Sequence, residues 1–125
     1  MGENVVKLFW EYIHNADFDS LNELISDDAS IWLPNTKEVF KGKRKYIEFN
    51  KKYPDRWYVD LEKLYVCGET VISVAKIFNS ENTASFYVTS FFKVNNNLIE
   101  EIVEYWGDNG EPPKWRLHEK LSERY

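Results

Sequence analysis

The sequence predicts a single α+β domain in which helices come first and an antiparallel sheet follows. Apolar residues recur with a helical period in the first half of the chain and alternate with a period of two in the second half. The 125 residues suit one domain, and 43% hydrophobic with 17% aromatic residues is enough for a core with stiff walls. We expect residues 1–110 to form the domain and residues 111–125 to form a polar tail.

The first half contains three predicted helices and two short strands. Apolar stripes within residues 3–15 and 18–25 indicate the first two helices. Residues 29–33 and 39–40 are predicted as short strands, and Gly42 introduces a third helix. Three helices placed before a sheet can cover one of its faces.

The second half contains four predicted strands joined by tight turns. They span residues 57–67, 71–78, 84–94 and 98–106. Such a run of strands and turns is typical of an antiparallel meander. The face turned away from the helices would carry Tyr87, Phe91, Ile99, Val103 and Tyr105. An apolar face of this size is rarely left in water, so we expect a homodimer that pairs through the outer face of the sheet.

Charge and cysteine content argue against several classes of protein. The net charge of −5 and the pI of about 5.1 argue against nucleic-acid binding, which needs clustered Lys and Arg. One cysteine and two distant histidines do not give metal-ligand spacing, so we expect no metal and no cofactor. No apolar run approaches membrane-spanning length, and no signal peptide is evident, so a cytoplasmic location is expected.

Three stretches of the chain resemble the SnoaL-like and ketosteroid-isomerase-like proteins, also called nuclear-transport-factor-like. The stretches are FDSLNELISDDASIWLP, VFKGKRKYIEF and FFKVNNNLIEEIVEYWGD, and the resemblance covers residues 3–110. It implies a cone in which a curved antiparallel sheet wraps around three helices and encloses an apolar pocket. It also implies a small-molecule ligand, and pairing through the outer sheet face. The fold hosts isomerases, cyclases and other lyases as well as non-catalytic binders, so it leaves the activity open.

The usual steroid-isomerase chemistry does not fit this chain. By the resemblance, the tyrosine, the base and the protonated acid of the isomerase site fall on Phe9, Leu33 and Ser90. Phe and Leu carry no proton to transfer, and the Ser hydroxyl is a much weaker donor than a carboxylic acid. Any proton transfer must therefore use another group.

Glu104 is the candidate for that group. In the stretch LIEEIVEYWGDNG, strict alternation places residues 98, 100, 102, 104 and 106 on the concave side and residues 99, 101, 103 and 105 on the outer side. A carboxyl on an apolar wall either pairs with a cation or has a raised pKa. A raised pKa is what a general acid or base needs in order to work near neutral pH. The predicted pocket residues are Phe9, Ile13, Leu33, Tyr46, Phe49, Ile72, Val74, Phe86, Val88, Ser90, Ile102 and Trp106.

Two functions from different classes stay open at this point. One is a SnoaL-like lyase, isomerase or cyclase that uses the Glu104 carboxylate, with Ser90 or a tyrosine as an orienting donor. The other is a non-catalytic module that binds a ligand or another protein on the same fold. A second titratable group within hydrogen-bond reach of Glu104 would favour the enzyme, whereas a salt bridge that ties up Glu104 would favour the module.

Overall fold

The computed structural model describes residues 2–125, in which one sheet curves around the helices of the N-terminal half. The helices are α1 (Gly2–His14), a 3₁₀ helix (Phe18–Glu23), α2 (Lys43–Lys52) and α3 (Lys114–Glu119). The strands are β1 (Ile25–Leu33), β2 (Glu38–Lys41), β3 (Trp57–Cys67), β4 (Thr70–Asn79), β5 (Ser85–Asn95) and β6 (Leu98–Asp108). The α+β cone is therefore confirmed.

The sheet is mixed, whereas an antiparallel sheet was expected. Its strand order is β2-β1-β6-β5-β4-β3, and every neighbouring pair is antiparallel except β1 with β6. After β2 the chain passes through α2 to the far edge and returns as the predicted β3–β6 meander. The returning β6 reaches β1 in the same direction, with Ile31 opposite Ile102.

One local detail of the first half differs from the prediction, and another agrees with it. The second helix is a 3₁₀ helix that ends at Glu23, so Ile25 belongs to β1 instead. Gly42 directly precedes α2, as predicted, and its φ of +94° is one that residues with a Cβ rarely adopt. The Gly42 N–H donates to the Ala29 carbonyl at 2.7 Å, which anchors the start of α2 to β1.

The orientation predicted for β4 was wrong. The ladder pairs Ser73 with Ser90 and Ala75 with Val88, so the odd-numbered residues of β4 point to the concave side. Ile72 and Val74, which were predicted to line the pocket, lie on the opposite, convex face of the sheet, away from the helices. Both faces of β4 are apolar, so alternation alone could not show which face is buried.

A β-bulge at Glu100 reverses the orientation predicted for the start of β6. The pairing moves from Lys93–Glu101 to Val94–Ile99 and leaves Glu100 without a partner. Ile99 is therefore fully buried, while Leu98 is 37% exposed and does not face the interior. From Ile102 onward the strand has the predicted orientation, and Glu104 is buried.

The convex face carries an apolar row that crosses the whole sheet. The register places in this row Tyr65, Ile72, Phe91, Val103, Trp32 and Val39. Trp32 is 41% exposed and Tyr65 is 57% exposed. The row is a larger apolar surface than scattered exposed side chains would give.

Beyond residue 110 every side chain is exposed except the half-buried Pro112. The division into a domain over residues 1–110 and a tail over residues 111–125 agrees with this exposure and stays a prediction. None of the helices within residues 2–125 combines the length and the apolar character needed to cross a membrane.

Candidate active site

A cavity of about 180 Å³, partly open to solvent, lies between the helices and the concave face of the sheet. The predicted residues that line it are Ile13, Leu33, Tyr46, Phe49, Phe86, Val88, Glu104 and Trp106. Phe9, Ser90 and Ile102 are on the same side but are fully buried in the core behind the cavity wall. A cavity of this volume suits a small organic ligand.

Several lining residues were not predicted. They include Trp10, Phe18, Tyr53, Asp55, Arg56, Trp57 and Ile77. The segment from Tyr53 to Trp57 joins α2 to β3, and a connection carries no periodic pattern that shows where its side chains point. Ile77 was missed because β4 was given the wrong orientation.

Glu104 lies on β6 with only 8% of its surface exposed. The Tyr46 hydroxyl donates a hydrogen bond to its Oε1 at 3.2 Å. Within residues 2–125 no cation forms a salt bridge with this carboxyl. Burial raises the pKa of Glu104 from 4.5 to about 7, and hydrogen bonding from Tyr46 and Ser90 only partly opposes that rise. At neutral pH the carboxyl is therefore present in both protonation states.

Tyr46 is held in place by a cluster of aromatic rings. It extends from α2, and its ring lies 6.4 Å from that of Phe9, 5.8 Å from Phe40 and 6.2 Å from Phe49, measured between centroids. Burial, and then the neighbouring carboxyl of Glu104, raise the pKa of Tyr46 well above its ordinary value. The phenol therefore stays protonated and acts as a hydrogen-bond donor.

Two further buried donors have no protein partner within residues 2–125. Ser90 is directly opposite Glu104 in the β5–β6 ladder, yet its buried Oγ makes no hydrogen bond of normal geometry within residues 2–125. The contact between Ser90 and Glu104 is therefore weak, and it lowers the pKa of Glu104 only slightly. The buried Trp106 Nε1 also has no acceptor in the described chain. An acceptor atom that reached either donor would satisfy a buried polar group.

The His14 side chain has a structural hydrogen-bond partner. Its Nδ1 accepts a hydrogen bond from the Val59 N–H at 3.0 Å, and its backbone carbonyl accepts one from Arg56 Nη2 at 2.7 Å. These contacts join the end of α1 to β3. No group of His, Cys, Asp and Glu side chains within residues 2–125 could hold a metal ion.

The comparison of sequences identifies the family. The profile of a family described as "SnoaL-like domain" matches residues 6–102, which is most of the chain. The chain therefore belongs to the SnoaL-like family. Among proteins of curated function, none is a significant match.

Solved structures with the same fold include proteins of several descriptions. A protein of Kribbella flavida, provisionally called a ketosteroid isomerase, has a TM-score of 0.85 at 22% identity, with 99% of this chain and 89% of that chain covered. An NTF2-like protein of unknown function from Burkholderia xenovorans gives 0.78 at 20% identity, with coverage of 98% and 93%. An epoxide hydrolase of the LEH-like type from M. tuberculosis gives 0.74 at 17% identity, with coverage of 85% and 82%. Identities this low establish the fold and not the activity.

Proposed function

We propose that the protein binds a small, largely apolar organic molecule in the cavity and acts on it by proton transfer through Glu104, as a SnoaL-like lyase, isomerase or cyclase. The observation that carries the proposal is a buried carboxyl with a pKa of about 7 whose partner is a phenol, with no cation paired to it among residues 2–125. A group that titrates near neutral pH can both accept and return a proton. The cavity wall beside it is mainly apolar, which suits an apolar ligand.

The chemistry follows from the two protonation states of Glu104. The carboxylate takes a proton from one carbon of the ligand, and the resulting carboxylic acid returns a proton to another atom. Charge that develops on a ligand oxygen can be stabilised by the buried N–H of Trp106, a residue that lines the cavity. Tyr46 keeps its bond to Glu104 and orients the carboxyl, so we assign it a positioning role.

The alternative is a binding module that carries out no reaction. It would be favoured by a Glu104 locked in a salt bridge, whereas the partner of Glu104 is the Tyr46 hydroxyl, which donates a hydrogen bond to it at 3.2 Å. This arrangement supports the enzyme over the module.

The test uses small cyclic β,γ-unsaturated ketones, whose isomerisation needs one proton removed and one returned. Thermal-shift measurements detect binding, and NMR in D₂O detects isomerisation or exchange of the acidic C–H protons. We expect Glu104→Gln to bind the same compounds and to lose turnover by about 10²–10⁴-fold. Glu101→Gln, on the convex face of the same strand, is the matched control and should keep its activity.

Turnover that persists in Glu104→Gln would reject the assigned role of the carboxyl. If the native protein binds these ketones and neither isomerises them nor exchanges their protons, the binding module becomes the better description.

We also propose that two copies pair through the convex face. The apolar row described above supports this, because it spans six strands and includes half-exposed Trp, Tyr and Phe side chains. A two-fold contact would place the same row on both partners and leave the cavity, on the other side of the sheet, open to its ligand.

A further inference from the structure

Five aromatic residues form a continuous row along the outer part of the cavity, which we call the collar. The collar consists of Phe49, Tyr53, Trp57, Phe86 and Trp106, all of which line the cavity. Successive ring centroids are separated by 5.5, 6.2, 5.6 and 5.7 Å, so each ring contacts the next. The five side chains are half-buried, whereas Tyr46 and Glu104 behind them are buried. The rings therefore lie nearer to solvent than the carboxyl along this wall of the cavity.

The collar is fixed in position before any ligand arrives. The Trp57 indole N–H donates to the Pro54 carbonyl at 2.8 Å, and edge-to-face contacts hold Tyr53 between Phe49 and Trp57. The Asn35 side chain holds β6 at the collar, because it donates to the Trp106 carbonyl at 2.9 Å and accepts from the Trp106 N–H at 3.1 Å. A preformed wall loses little conformational entropy on binding.

Carboxyl groups lie around the collar. Within residues 2–125 Glu104 forms no salt bridge, and Asp55 lines the cavity. Burial, and then the nearby Asp108 carboxylate, raise the pKa of Tyr53. Two cations, Lys51 and Arg56, also line the cavity, and each has a partner other than Glu104. Lys51 forms an ion pair with Asp19, and the Arg56 guanidinium lies 4.3 Å from the centroid of the Tyr58 ring while it donates to two backbone carbonyls.

We propose that the ligand of this cavity carries a small alkylammonium or quaternary ammonium group, which the aromatic collar surrounds and the Glu104 carboxylate balances. Aromatic faces attract organic cations, and the attraction is stronger when the cation is shielded from water. A buried carboxylate adds a counter-charge of fixed position. This inference rests on the proposed function, because it names the ligand class of the same cavity.

In this arrangement, binding of a cation should be coupled to the protonation state of Glu104. At pH 7 part of the Glu104 population is protonated, and a bound cation favours the ionised form. Cation binding should therefore release a proton near neutral pH and should strengthen as the pH rises from 6 to 8. A neutral ligand of the same shape gains nothing from ionisation of Glu104 and should not strengthen over that range.

The test compares choline with 3,3-dimethyl-1-butanol, in which a carbon replaces the charged nitrogen. Isothermal titration calorimetry at pH 8 should show about tenfold tighter binding of choline to the native protein. Glu104→Gln should abolish that preference and still bind the neutral alcohol. Phe86→Leu removes a collar ring while it keeps an apolar side chain, and it should weaken choline more than the alcohol. Phe91→Leu, on the convex face of the same strand, is the matched control and should change neither.

The outcomes separate this inference from the function on which it depends. If the alcohol binds as well as choline or better, the cation preference is rejected and the apolar-ligand cavity stands. If neither compound binds, both the inference and the proposed ligand-binding function are rejected for ligands of this size. A choline preference that survives in both Glu104→Gln and Phe86→Leu would place the cation elsewhere and overturn the assignment.

Discussion

Burial of Glu104 lowers the stability of the fold, and the size of this loss depends on pH. Its pKa of about 7 exceeds the ordinary 4.5, so between these pH values the folded chain holds a proton that the unfolded chain has released. Stability therefore falls as the pH rises through this window, by about 2–4 kcal/mol, and stays lower above pH 7. Function-bearing groups commonly carry such a penalty.

Substitution of this carboxyl should remove the pH dependence. We expect Glu104→Gln to unfold at nearly the same denaturant concentration as the native protein at pH 5 and to be more stable by about 2–4 kcal/mol at pH 8. Urea titrations at both pH values measure the difference, with Glu101→Gln as the control. Equal stabilities of native protein and Glu104→Gln at pH 8 would contradict the raised pKa.

Tyr46 should shift the protonation equilibrium of Glu104 towards the ionised form. Its hydrogen bond stabilises the ionised carboxylate and so lowers the pKa of Glu104. In Tyr46→Phe the pKa of Glu104 should therefore rise above about 7. Carboxyl-carbon NMR of glutamate-labelled protein reports this titration directly, and a midpoint that is unchanged or lower would show that the bond does not favour the anion.

At the scale of secondary-structure elements, α1 is attached to the sheet by a buried polar contact. The Trp10 Nε1–H donates to Ser73 Oγ at 3.0 Å, with Trp10 on α1 and Ser73 on the concave face of β4. Trp10 also contacts Phe9 and Phe92 through its ring. The hydrogen bond joins α1 to β4, and Trp10 itself lines the cavity.

Loss of either partner should be costlier than loss of both polar groups. Ser73→Ala leaves a buried indole N–H unsatisfied and Trp10→Phe leaves a buried hydroxyl unsatisfied, so each should destabilise the fold by about 1–3 kcal/mol beyond any packing change. The double variant should be more stable than the two single effects added together predict. Chemical denaturation of all four proteins measures the coupling, and strict additivity would show that the bond contributes nothing specific.

The sequence predicted most elements because their patterns are local. The helical stripe of α1, the turns of the meander and the inward orientation of Glu104 all follow from residues near one another in the chain. The orientation of Ile72 and Val74 did not follow, because β4 is apolar on both faces and only its pairing with β5 decides which is buried. Likewise, the bulge at Glu100 and the parallel β1–β6 pair depend on partners distant in the chain.

At the scale of the whole molecule, the two faces of the sheet carry different features. The concave face holds the cavity and the convex face holds the apolar row. A change on one face should therefore leave the other intact, since side chains alternate across the sheet.

Pairing of two copies can be tested on the convex face alone. Phe91→Lys places a charge in the middle of the apolar row and should convert a dimer into a monomer that keeps its cavity ligand. Leu121→Lys, at a position 87% exposed in the tail, is the control and should remain dimeric. Sedimentation velocity distinguishes the two states, and a native protein that is monomeric at micromolar concentration would reject the proposed contact.

The parallel pairing of β1 with β6 governs the order in which the molecule can be assembled during synthesis. Residues 25–33 emerge from the ribosome long before residues 98–108, yet they gain their second neighbour only from that late segment. Until then β1 has only β2 beside it, and a two-stranded ribbon is marginal in water. We expect a nascent chain that stops before residue 98 to be readily cleaved by protease, so protection should come late in translation.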